Sequence, residues 1–72
     1  MTKFKFKIKN LFVYKDTSIF EVIKNLAKNR IGIVLVVDLR NKLLGTITDG
    51  DVRRGILKYS DINLSAKKIM KK

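Results

Sequence analysis

Charged and apolar residues alternate strictly over residues 3–9, Lys-Phe-Lys-Phe-Lys-Ile-Lys. A period of two predicts a strand with one buried face. Lysines on its other face suit a sheet edge, or a strand that crosses to a partner. Leu11 to Tyr14 forms a second short apolar segment. The period then changes. Ile19, Val22, Ile23 and Leu26 recur at i, i+3, i+4 and i+7, with Ala27 beside them, while Lys24, Asn25, Lys28 and Asn29 take the wet face. This is an amphipathic helix. Ser18 and Glu21 have the spacing of a capping box, and Gly32 is placed to end the helix.

Ile33 to Val37, Ile-Val-Leu-Val-Val, shows no alternation. Such a run predicts a strand covered on both faces. Asp38 to Lys42 reads as a polar turn and Leu43 to Thr48 as the next strand, so the two strands form a hairpin. Gly45 inside that strand signals a bulge or a close backbone approach. A second helix follows Thr48, with Val52, Ile56 and Tyr59 at i, i+4 and i+7. Ser60 to Leu64 is a loop, and Ser65 opens a short final helix whose Ile69 and Met70 are positioned to dock. The order is strand, helix, strand, strand, helix after an N-terminal strand: an α+β unit with a small three-stranded sheet and two helices on one face. Nothing in the chain remains to cover the second face of the 33–37 strand. Burial therefore predicts a homodimer through sheet faces, or docking on a second domain.

Composition narrows the chemistry. Seventy-two residues make at most one domain, and one this small is marginal alone. With neither Cys nor His, disulfides, Cys or His metal sites and imidazole catalysis are excluded. No apolar run approaches the roughly 20 residues of a membrane span, and no secretory signal is visible. A cytoplasmic protein is expected. The net charge of +11 invites a nucleic-acid role, but its distribution argues otherwise. Lys3, Lys5, Lys7 and Lys9 lie at one end, and Lys67, Lys68, Lys71 and Lys72 at the other. The remaining nine basic residues stand against all six acids. Basic ends flank a nearly ordinary middle, so a nucleic-acid-binding protein acting through lysine-rich tails is a disfavoured alternative.

The most informative stretch runs Leu44-Gly45-Thr46-Ile47-Thr48-Asp49-Gly50-Asp51-Val52-Arg53-Arg54. It places a hydroxyl, carboxylates and two guanidiniums where a helix follows a strand, a junction that suits phosphate and ribose groups. Thr48 and Asp51 also form a T-x-x-D cap that needs no ligand. Asp49-Gly50-Asp51 lacks the remaining positions of a calcium loop, so no metal is expected. Asp49 and Asp51 would sit on a solvated helix start with nothing to tune them as an acid–base pair, so no catalytic residue is assigned. Arg53 and Arg54 oppose the helix dipole in its first turns, a cost that an expected anion would explain; pairing with Asp49, Asp51 or Asp61 is the alternative. As a nucleotide clamp, Asp51 accepts from ribose hydroxyls, Thr48 bonds ribose or phosphate, an arginine faces the phosphates, and Ile33 and Val34 offer the base an apolar slot.

From about Leu11 to Met70 the chain resembles a single CBS domain, the small regulatory module named after cystathionine β-synthase. The resemblance lies in Asp16-Thr17-Ser18-Ile19, in Gly32 to Asp38, in Asn41 to Asp51 with its Gly-x-Ile-Thr-x-x-Asp core, and in Ile69-Met70. The fuller Thr-Asp-Gly-Asp-Val-Arg-Arg form is similar to CBS domains attached to sugar-phosphate nucleotidyltransferases and isomerases. The resemblance implies a β-α-β-β-α fold, pairing of two units sheet against sheet, and an adenine nucleotide (AMP, ADP or ATP) in the cleft between them. It assigns Thr48 to ribose or phosphate, Asp51 to the ribose hydroxyls and Ile33 and Val34 to the base. Arg53 and Arg54 extend past the core signature. CBS units normally come in tandem, and this chain stops where a linker to a second unit would begin. The expectation is a basic arm over 1–10, one CBS unit over 11–66 and a basic tail over 67–72, either as a fragment of a longer protein or as a chain that pairs with itself. The function expected is a non-catalytic regulatory module with no cofactor beyond the nucleotide ligand. A purely structural dimerisation module is the alternative.

Overall fold

The computed structural model describes residues 7–72. After a 3-10 turn at Ile8–Leu11 the chain forms β1 (Phe12–Tyr14), α1 (Ile19–Asn29), β2 (Ile33–Val37), β3 (Leu43–Thr48) and α2 (Asp49–Tyr59), then a closing 3-10 turn at Ala66–Lys68. Residues 1–6 of the expected N-terminal strand lie outside the described residues. Where the description begins, the expected strand is replaced by the 3-10 turn. The Asn10 N–H donates to the Lys7 carbonyl, and this lets Leu11 turn into the interior while Ile8 stays exposed.

The sheet is mixed, in the order β1-β2-β3. β1 runs parallel to β2, which requires a crossover, and α1 supplies it. β2 and β3 form the antiparallel hairpin that the sequence predicts. Asp38 shapes the turn, its Oδ1 accepting from the backbone N–H groups of Arg40 at 2.8 Å and Lys42 at 2.9 Å. Hydrogen bonds from Lys42 and then Arg40 hold the Asp38 carboxyl below its usual range. Asn41 takes the left-handed conformation at φ 64°, which asparagine tolerates well. α1 ends on Arg30 in that conformation, two residues before Gly32. Asn29 reinforces the stop by accepting from the Ile31 N–H at 2.6 Å.

Val13 pairs with Val36, and Val34 with Ile47, across one face of the sheet. These residues join Ile19, Val22 and Leu26 of α1, Val52 of α2 and Ala66 in the buried core. On the opposite face Phe12, Leu35 and Thr46 line up and are only half-buried. The chain therefore covers one face of β2 with its own residues. Among the described residues no helix is long and apolar enough to cross a membrane.

The end of the chain is docked on the domain. The Lys71 backbone exchanges two hydrogen bonds with Thr46, at 2.8 and 2.9 Å, and so extends the sheet beyond β3. This strap explains two glycines. A Cβ on Gly45 would lie 2.7 Å from the Lys71 carbonyl oxygen, and one on Gly55 would lie 2.5 Å from Ile69 Cγ2. Gly45 thus combines the close approach expected of it with the register shift between Val36 and Val37 on the neighbouring strand.

Candidate functional site

Thr48 ends β3 and caps α2, and Asp51 occupies the third helical position. The capping box is reciprocal. The Asp51 N–H donates to Thr48 Oγ1 at 3.3 Å, and the Thr48 N–H donates to Asp51 Oδ2 at 2.9 Å. The Thr48 hydroxyl also donates to Oδ2, at 3.1 Å. The other carboxylate oxygen has a different environment. Arg54 Nη2 donates to Oδ1 at 2.7 Å, and Lys71 Nζ lies 3.5 Å from it. One oxygen therefore belongs to the helix cap and the other to two cations.

The Asp51 side chain is only 3% exposed, while those of Arg54 and Lys71 are 64% and 69% exposed. Burial by itself pushes the Asp51 pKa up. Hydrogen bonds from the Thr48 N–H, Arg54 and the Thr48 hydroxyl, together with the Lys71 charge, outweigh it and hold the carboxyl below its usual range. The result is a fixed, ionised acceptor whose covering cations stand largely in water. Gly50 lets the guanidinium lie close, since a Cβ there would approach Arg54 Nη1 to 3.3 Å. The N–H groups of Asp49 and Gly50 have no partner among the described residues. The start of α2 therefore presents open donors and the positive end of its dipole.

The structure brings Thr48, Asp51 and Arg54 together. Ile33 is paired in register with Thr48 and lies half-buried on the open sheet face beside the cap. Val34 is fully buried in the core, so only its backbone can meet a ligand. Arg53 is exposed and forms no ion pair among the described residues. The Asp49 side chain, also exposed, is not brought beside the Asp51 carboxylate by any shared contact.

Sequence reasoning missed the groove beside this cap. Arg54, Lys58 and Tyr59 line it from α2, Lys68, Ile69 and Lys71 line it from the C-terminal strap, and Asp51 lies at its floor, enclosing about 210 Å³. Arg54 and Lys58 were readable as an i, i+4 stripe. Lys68 and Lys71 were not, because only the docking of the strap turns them towards α2. A larger hollow of about 480 Å³ lies at the other end of β2, among Tyr14, Asp16, Val37, Leu39 and Leu44. It contains none of the candidate residues.

Comparison with known proteins agrees with this fold. The protein-family model for the CBS domain matches residues 4–58. An uncharacterized protein of Rickettsia prowazekii, RP505, is 44% identical over 75 residues; the match covers 92% of this chain but 23% of that protein's length. The CBS-domain containing protein ATU1752 of Agrobacterium tumefaciens superposes with a TM-score of 0.80 at 28% identity, over 86% of this chain and 48% of its own. The CBS domain protein PAE2072 of Pyrobaculum aerophilum, solved in complex with AMP, superposes with a TM-score of 0.74 at 24% identity, over 83% of this chain and 47% of its own. The chain thus spans about a quarter of the matched relative and about half of each of these solved chains.

Proposed function

We propose that this chain, which belongs to the CBS domain family, is a non-catalytic regulatory module that binds an adenine nucleotide at the start of α2. Two copies, or this unit and a second one, pair through the open sheet face bearing Phe12, Ile33 and Leu35, and the ligand occupies the resulting cleft. The observation that carries the reading is the divided Asp51 carboxylate. Its Oδ2 is consumed by the cap, while its Oδ1 faces two solvent-exposed cations and suits the hydroxyls of a ribose. Ile33 beside Thr48 offers the base an apolar contact, and Arg54 with Lys71 suits a phosphate. The AMP complex of the similarly folded PAE2072 lends support. In a cytoplasmic sugar-phosphate nucleotidyltransferase or isomerase, such a module acts by binding nucleotide more tightly in one arrangement of the pair than in the other.

A second reading has an observation of its own. The reciprocal box satisfies Thr48 and Asp51 without any ligand, as a purely structural pairing module requires. Calorimetric titration of the chain with AMP, ADP and ATP at about 150 mM salt, which limits nonspecific attraction to the lysines, separates the two. Saturable nucleotide binding that inorganic triphosphate does not match supports the regulatory module. No binding, or binding matched by triphosphate, leaves the structural one.

A further inference from the structure

The groove between α2 and the C-terminal strap says which kind of nucleotide fits; this inference rests on the nucleotide reading above. Four cations, Arg54, Lys58, Lys68 and Lys71, line the groove together with one carboxylate, Asp51. Arg54 and Lys71 already meet it. Lys58 and Lys68 form no ion pair among the described residues; the Lys58 ammonium lies 5.3 Å from the centre of the Tyr59 ring. Like charges crowded into one groove repel each other, and an anion relieves that cost.

Spacing sets the length of the anion. An α-helix rises 1.5 Å per residue, so along α2 Arg54 stands about 4.5 Å and Lys58 about 10.5 Å beyond Asp51. A ribose held at Asp51 Oδ1 brings a first phosphate within reach of Arg54 and Lys71. A second and third phosphate add the negative charge that Lys58 and Lys68, lining the same groove, can meet. We infer that the ligand is a nucleoside di- or triphosphate rather than a monophosphate, and that Lys58 and Lys68 set this preference.

The test is titration of the full chain with AMP, ADP and ATP in EDTA at about 150 mM KCl. ATP binds about tenfold more tightly than AMP, as two additional exposed charge contacts allow, with ADP between them. In Lys58→Gln/Lys68→Gln the ratio falls towards one. In Lys28→Gln/Lys42→Gln, which removes the same charge elsewhere, it persists. Far-UV circular dichroism checks that both variants are folded. Equal affinities for AMP and ATP, a ratio that survives in the groove variant, or an equal loss in the control overturns the polyphosphate assignment and leaves the nucleotide reading standing. Absence of binding by all three nucleotides overturns both.

Discussion

The two helices of this domain begin with the same sequence device and end up with different surroundings. α1 starts at Ser18 with Glu21 three residues on, and α2 starts at Thr48 with Asp51 three residues on. At α1 the chain closes the helix start itself. The N–H groups of Ile19 and Phe20 donate to the carbonyls of Leu64 and Ile62 at 2.8 Å. The Ser18 hydroxyl takes the Glu21 N–H at 3.1 Å, while the Glu21 carboxylate, 53% exposed, reaches only Lys24 among the described residues, at 3.5 Å. At α2 the carboxylate is buried and returns the cap's hydrogen bond. Its second oxygen meets two cations, and the first backbone donors stay open. A hydroxyl and a carboxylate three residues apart make a cap. Burial, cations and an unblocked helix end turn such a cap into a ligand site.

Removing each acid should show the contrast most strongly. Asp51→Ala strips a buried acceptor and leaves the Thr48 N–H without its partner, so it should destabilise the fold by about 2–3 kcal/mol. Glu21→Ala, at a solvated surface, should stay within about 0.5 kcal/mol. Urea denaturation of both variants measures the gap, and equal losses would erase the distinction. Next comes the strap that delivers Lys71 to the α2 site. Gly45→Ala forces a methyl against the Lys71 carbonyl and should cost about 1–3 kcal/mol by overpacking. A neutral result would show that the strap is not held as described.

Coupling within each cap should differ as well. A double-mutant cycle on Thr48 and Asp51 should show non-additivity of about 0.5–3 kcal/mol, whereas Ser18 and Glu21 should add to within about 0.5 kcal/mol. Acid titration gives the smallest effect. A carboxyl whose pKa is lowered by folding adds stability that is present at neutral pH. For Asp51 that contribution begins to fade as pH enters the ordinary aspartate range and is lost as pH falls through the lower folded-state value. The melting temperature should therefore drop more steeply in acid for the wild type than for Asp51→Asn. Parallel acid profiles would remove Asp51 as the source.

Much of this was legible in the sequence. The 3.6-residue period marked α1, the apolar run marked β2, and the T-x-x-D spacing placed Thr48 and Asp51 correctly at the start of α2. These features are local, and each is carried by consecutive residues. Features that depend on distant contacts were harder to read. The alternation over residues 3–9 did not foretell the 3-10 turn that carries Leu11 inward, because burial rather than period decides there. Val34 looked available to a ligand, yet its register with Ile47 turns it into the core. Lys71 read as part of a solvated tail and lies 3.5 Å from Asp51. Its only advance sign was a pair of glycines, Gly45 and Gly55, kept bare for a segment whose position no local pattern reveals.

The most direct test compares nucleotide titrations of the wild-type chain, Asp51→Asn and Glu21→Gln. Asparagine retains a side-chain oxygen for the cap but removes the charge that faces Arg54 and Lys71. Saturable binding is expected for the wild type and for Glu21→Gln, with Asp51→Asn folded but weaker by about 1.5–3 kcal/mol, the range for hydrogen bonds to a charged group. Undiminished affinity in Asp51→Asn, or no nucleotide binding by the wild type, would contradict that expectation.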